Sequence, residues 1–89
     1  MNLWVKKIVV AKNISVPQKA LLYLADTMKE TPIDEIVESI SNTNRNHVLT
    51  VLRQLRDNSL VHYDVNYAKN TVPLGYKKVE KIIKEKLGS

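Results

Sequence analysis

Seven polar side chains, Asn44, Arg45, Asn46, His47, Thr50, Arg53 and Gln54, surround an apolar stripe of Val48, Val51, Leu52 and Leu55. The stripe follows the i, i+3, i+4, i+7 rule, so one face of a helix is buried there and the polar seven lie outward. Amides pair a donor with an acceptor, guanidinium groups present a fork of donors, and a hydroxyl does either. A surface of this composition hydrogen-bonds a polar or anionic partner.

Other chemistry finds no footing. The two histidines, His47 and His62, are fifteen residues apart, and His62 has no second ligand at a suitable offset. Without cysteine the chain makes neither disulfides nor thiolate metal sites, and no metal is expected. The only glycines, Gly75 and Gly88, cannot form a phosphate-cradling or dinucleotide loop. No serine-centred nucleophile motif occurs, so the expectation is a protein that is not an enzyme and uses no cofactor. The Asn13-Ile14-Ser15 glycosylation triplet is read as chance, because no secretion signal accompanies it.

Positioning the seven polar residues takes a small scaffold. The 89 residues, 44% apolar and 26% charged, suit a single folded domain spanning residues 1–89. A chain of this size buries only about 60 to 65% of its unfolded surface, which favours support from a second copy. The longest purely aliphatic run, Ile8-Val9-Val10-Ala11, is far short of the roughly 18 residues of a membrane span or the roughly 7 to 15 of a signal-peptide core. The expectation is a soluble, cytoplasmic protein. A net charge of +5 favours a polyanionic partner.

Residues 1–14 combine Leu3, Trp4, Val5, Ile8, Val9 and Val10 with three lysines, and their β-branched content predicts a strand or extended arm. Ser15 and Pro17 open a helix over residues 17–29, on which Ala20, Leu21, Leu24, Ala25 and Met28 recur. Thr31 is expected to cap a second helix, with Pro32 in its first turn and an Ile33, Ile36, Val37, Ile40 stripe. A tight polar link follows, in which Asn42 or Thr43 caps the helix of the polar seven. Residues 60–65 alternate as a strand, residues 67–70 turn, and residues 71–74 return, with Pro73 confining that second strand to an edge. From Tyr76 a last helix carries Val79, Ile82, Ile83 and Leu87 on one side. Lys77, Lys78, Lys81 and Lys84 line the other, as a solubilising surface.

The run Val48-Leu49-Thr50-Val51-Leu52-Arg53-Gln54-Leu55-Arg56-Asp57-Asn58-Ser59-Leu60-Val61 resembles the recognition helix and following strand of winged helix-turn-helix regulators of the MarR, PadR and ArsR kind. With the elements around it, the resemblance covers residues 15–87. It implies a mainly α fold with a small antiparallel β-hairpin, the wing, and a sequence-specific regulator of transcription that binds double-stranded DNA. The implied mechanism is repression by a homodimer that occupies an operator. The family's groove-facing positions fall on Asn44, Arg45, Asn46, His47, Thr50, Arg53 and Gln54. Its wing tip falls on residues 67–70, where Lys69 and Asn70 would meet the backbone or minor groove. Asparagine and glutamine can pair bidentately with adenine, arginine with guanine, and threonine with a phosphate or a thymine methyl.

The chain departs from the family at two places. Ser59 stands at the usual glycine, and Asn58 is expected to take the left-handed conformation instead. Leu49 stands where a groove-facing polar residue is usual, so the helix is rotated, or Leu49 meets a thymine methyl or a partner chain. For the dimer, Trp4, Val79, Ile82, Ile83 and Leu87 are the candidate interface, and a two-fold pair would set the reading helices roughly 34 Å apart. Two alternatives stay open. One is a winged-helix interaction module within a larger assembly, contacted through Leu49 and the Trp4 arm, and the other is an architectural protein binding DNA without sequence preference. Charge leans toward DNA: residues 31–42 carry −3, residues 43–63 +2 and residues 64–89 +3.

Overall fold

The structure, a computed structural model, describes residues 3–70 and 74–87, with side chains from Val5 onward. Helix α1 spans Leu3–Val9, where the sequence predicts an arm or strand. Val5, Ile8 and Val9 stand at i, i+3, i+4, and Val5 and Val9 are buried in the core while Ile8 packs beside them. Burying that face against the next helix outweighs the weak β preference of valine and isoleucine. Lys6 and Lys7 fall in the last turn, where the helix dipole favours cations.

Helix α2, Val16–Thr27, is the central element and packs against α1 and three later elements. Ser15 caps it by accepting from the Gln18 amide at 3.3 Å, and Pro17 sits in its first turn, where its missing N–H costs nothing. Residues 19–25 are all buried, because neighbours cover this helix on every side. It stops at Met28, whose φ of 54° is left-handed.

Thr31 does not cap a helix. It forms strand β1, Thr31–Pro32, and its hydroxyl donates to the Lys29 carbonyl at 2.9 Å. Helix α3, Ile33–Ser39, therefore begins without a side-chain cap, and its first amide, that of Ile33, bonds the Asn66 carbonyl at 3.1 Å. A hydrogen bond to a distant loop satisfies the donor that local sequence would have had to satisfy. Asp34 and Glu35 stand in the first turn as the dipole favours. After a short link comes α4, Arg45–Asp57.

The end of α4 corrects a second expectation. Asn58 keeps φ at −96° and its side-chain amide donates to the Gln54 carbonyl at 2.9 Å. Ser59 takes the left-handed conformation, φ 60°, and its amide bonds the Arg56 carbonyl while the Leu60 amide bonds the Leu55 carbonyl, both at 2.9 Å. This is a Schellman closure with serine in the place glycine prefers.

Strands β2, Val61–Tyr63, and β3, Tyr67–Asn70, are joined at residues 64–66, so the expected turn at residues 67–70 is in fact a strand. Asp64 causes the shift: its carboxylate accepts the amides of Asn66 at 2.7 Å and Tyr67 at 3.1 Å, closing the chain early. Pro73 and the rest of residues 71–73, expected as the returning strand, lie outside the described residues. The sheet is antiparallel in the order β1-β3-β2, with Thr31 opposite Ala68, and His62 opposite Lys69. Helix α5, Tyr76–Leu87, closes the fold by packing on α2. The protein is thus mainly helical with a small three-stranded antiparallel sheet, and among the described residues no helix is long and apolar enough to cross a membrane.

Candidate functional site

Val48, Val51, Leu52 and Leu55 are all at most 2% exposed, locked against α2, α3 and β2. That burial fixes the rotation of α4 and puts Arg45, Asn46, His47, Thr50, Arg53 and Gln54 on the solvent side. The sequence-derived face is therefore brought together on one rigid helix. Leu49 lies half-buried at the edge of the core, so it neither turns the helix over nor projects freely.

Individual side chains are less free than the pattern implies. Asn44, and neither Asn42 nor Thr43, is the N-cap of α4: its Oδ1 accepts the His47 amide at 2.9 Å. Asn42 instead turns the chain with φ 57°. An asparagine that spends its acceptor on a cap retains only its amide donors for a partner. The Arg45 guanidinium is paired with the Asp34 carboxylate in the first turn of α3. Thr50 donates to the Asn46 carbonyl at 3.1 Å and accepts from Arg53 Nη2 at 3.3 Å, which lays the Arg53 side chain along the helix. Arg56 lies 5.6 Å from the centre of the Tyr63 ring, a cation-π arrangement between α4 and β2.

The hairpin differs from the expected wing. Its tip carries Asp64, Val65 and Asn66 in place of residues 67–70, and Val65 is 71% exposed. Lys69 is exposed on β3 opposite His62, whereas Asn70 is 2% exposed and faces inward opposite Val61. Neighbouring strand residues point to opposite faces, so Lys69 and Asn70 cannot both meet an outside partner. The Asn70 side chain reaches Met28 Sδ at 3.9 Å, and its Oδ1 has no partner among the described residues. His62, Tyr67, Lys69, Arg56 and Glu30 border an open groove of 410 Å³. Its charges are of both signs, and no side chain among these selects a ligand class.

The proposed dimer stripe is also corrected in part. Val79 and Ile83 are buried in the protein's own core, at 1% and 0% exposure, and only Ile82 and Leu87 retain accessible surface. The stripe of α5 is used up by α2, as the stripe of a small domain's last helix usually must be. The side chain of Trp4 lies outside the described residues.

Three tertiary contacts around this face had no signal in the sequence. Tyr23 donates to Glu35 at 2.6 Å and accepts from Ser39 at 3.2 Å, fastening α3 to α2. Burial first, and then the bond to Glu35, push its phenol above the ordinary tyrosine value. Asp34 reads as an ordinary first-turn acid, and only the crossing of α3 and α4 brings it to Arg45. Lys19 reads as an exposed cation but is 1% exposed, and burial pulls its ammonium below the ordinary lysine value. Among the described residues no cluster of three or more histidines and acids could hold a metal. Comparison with family models, with curated proteins and with solved structures finds no match.

Proposed function

We propose that the protein is a winged helix-turn-helix regulator that reads double-stranded DNA with α4. The observation that carries this reading is the exposed face of Asn46, His47, Thr50, Arg53 and Gln54, held on a helix whose other face is fully buried. Amide, hydroxyl and guanidinium groups on a rigid helix are what base edges in a major groove can pair with. The order of α2, β1, α3, α4 and the β2–β3 hairpin supports it, since α2 and α3 brace α4 from behind. The +5 charge supplies the general attraction to phosphate.

Repression by steric exclusion from an operator remains part of the proposal, as does a homodimer. Its interface has to use surface other than Val79 and Ile83, which the core consumes. The wing's role narrows to Lys69, because the tip carries the acid Asp64 and no cation. One observation favours a protein-interaction module instead: the hairpin exposes Val65 and Tyr67, a small apolar patch that phosphate does not need.

The test is fluorescence anisotropy of a labelled random-sequence duplex across a salt series, for the wild type and for Asn46→Ala with Arg53→Ala. Binding that weakens steeply with salt, and further with the double substitution, supports DNA contact through α4. Absence of binding at low salt sinks the DNA reading, and a Val65→Asp variant in partner capture then tests the interaction module.

A further inference from the structure

Lys19 is the one cation buried among the described residues, and all three of its ammonium protons are accounted for. It donates to the Ala11 carbonyl at 2.8 Å, to the Ser41 carbonyl at 3.1 Å and to the Ser41 hydroxyl at 3.1 Å. Ala11 lies just beyond the C-terminus of α1, and Ser41 just beyond the C-terminal cap of α3. One ammonium therefore serves the carbonyl ends of two helices, where the dipoles favour a cation and local partners run out. The Ser41 amide in turn bonds the Val9 carbonyl at 3.0 Å, so the end of α1 and the start of the α3–α4 link are tied in both directions.

Desolvating an ammonium is costly, and a methionine would fill the same space without that cost. The charge thus contributes geometry that packing alone would not. Immediately after Ser41 the chain adopts the left-handed Asn42, then the Asn44 cap, then α4. Ser41 is thus an anchored point three residues ahead of the Asn44 cap of α4. We propose that Lys19 is a positioning residue that sets the pose of the reading helix through Ser41, and that α1 is thereby part of the reading unit. Its bearing on recognition rests on the DNA reading above; its bearing on the link does not.

The experiment compares wild type, Lys19→Met and Ser41→Ala in two measurements. The first is amide hydrogen exchange by NMR. Protection of the Ser41 amide, bonded to the Val9 carbonyl, and of the His47 amide, bonded to the Asn44 cap, should fall by about tenfold or more in Lys19→Met, while Leu24, Leu52 and Ile83 keep theirs until global unfolding. Ser41→Ala keeps two of the three bonds and should show a smaller loss at the same amides, which retains a reading if Lys19→Met does not fold. The second is duplex affinity for a selected operator against random sequence. The operator preference should fall by roughly tenfold, about one base pair's discrimination, with the random-sequence affinity and its salt slope unchanged. Destabilisation alone would lower both affinities together. Unchanged protection of the Ser41 and His47 amides in both variants overturns the clamp. Altered protection with an intact operator preference overturns its role in positioning. If wild type binds no duplex, the DNA reading and the recognition role fail together, while the exchange data still decide the clamp.

Discussion

The carboxylate of Asp34 holds the guanidinium of Arg45, joining the first turn of α3 to the first residue of α4. Arg45 is one of the seven polar residues, so a cation of the proposed reading face is already engaged by an acid of its own protein. Both side chains are at least half exposed, at 50% and 81%, so water and salt compete for the pair and it adds little stability.

Releasing Arg45 should therefore strengthen DNA binding. Asp34→Asn is expected to change stability by less than about 1 kcal/mol, raise random-duplex affinity and steepen its salt dependence by about one charge. Anisotropy titrations at three salt concentrations check this. An unchanged affinity would show that Arg45 does not reach the duplex.

Ser59 spends backbone energy on a conformation that glycine adopts freely. Ser59→Gly should stabilise the fold by roughly 1 kcal/mol, raising Tm by about 4 to 8 °C. Asn58→Gly should destabilise it, because Asn58 is not left-handed and loses its bond to Gln54. Thermal unfolding of both variants separates the two assignments, and a reversed order would place the left-handed residue at Asn58.

Ile83 is fully buried in the core of the chain itself. Ile83→Ala should cost about 2 to 5 kcal/mol, and Ile83→Asp should prevent folding instead of yielding folded monomers. Circular dichroism with sedimentation velocity checks both. A folded Ile83→Asp chain of reduced oligomeric state would return α5 to the interface.

Tyr23 and Lys19 act oppositely at high pH. The phenol of Tyr23 ionises later in the folded chain than at its ordinary value of 10.0, so its contribution is complete below that pH and is lost as pH rises through the folded value. The ammonium of Lys19 loses its proton earlier when folded than at its ordinary value of 10.5. Its linkage contribution is complete above that pH and is lost as pH falls through the folded value. Urea unfolding between pH 8 and about 11 should show a steeper alkaline decline in Lys19→Met than in wild type and a shallower one in Tyr23→Phe. Identical slopes in all three would remove both linkages.

Periodicity made α2, α3, α4 and α5 legible, because Leu21 and Leu24, Ile33 and Ile36, Val48 and Leu52, and Val79 and Ile83 mark their buried faces within single turns. The same rule, applied to Val5, Ile8 and Val9, points to α1, and β-branched composition obscured it. The hairpin was legible as a hairpin but not in register, since one carboxylate, that of Asp64, decides where the chain turns.

By itself the sequence determined which faces are apolar, and through them the outward set on α4, because side-chain spacing along a helix is a local property. Only the tertiary structure decided what individual side chains, on α4 and elsewhere, are doing. Asn44 caps, Arg45 is paired, Asn70 is buried, Val79 and Ile83 are consumed by the core, and Lys19 bridges two helix ends. Each of the last four depends on groups far apart along the chain, such as Arg45 and Asp34 or Lys19 and Ser41, brought together by helix crossings that residue spacing does not specify. Asn44 is the local exception: three neighbouring residues could each have capped α4, and the backbone turn at Asn42 selected one.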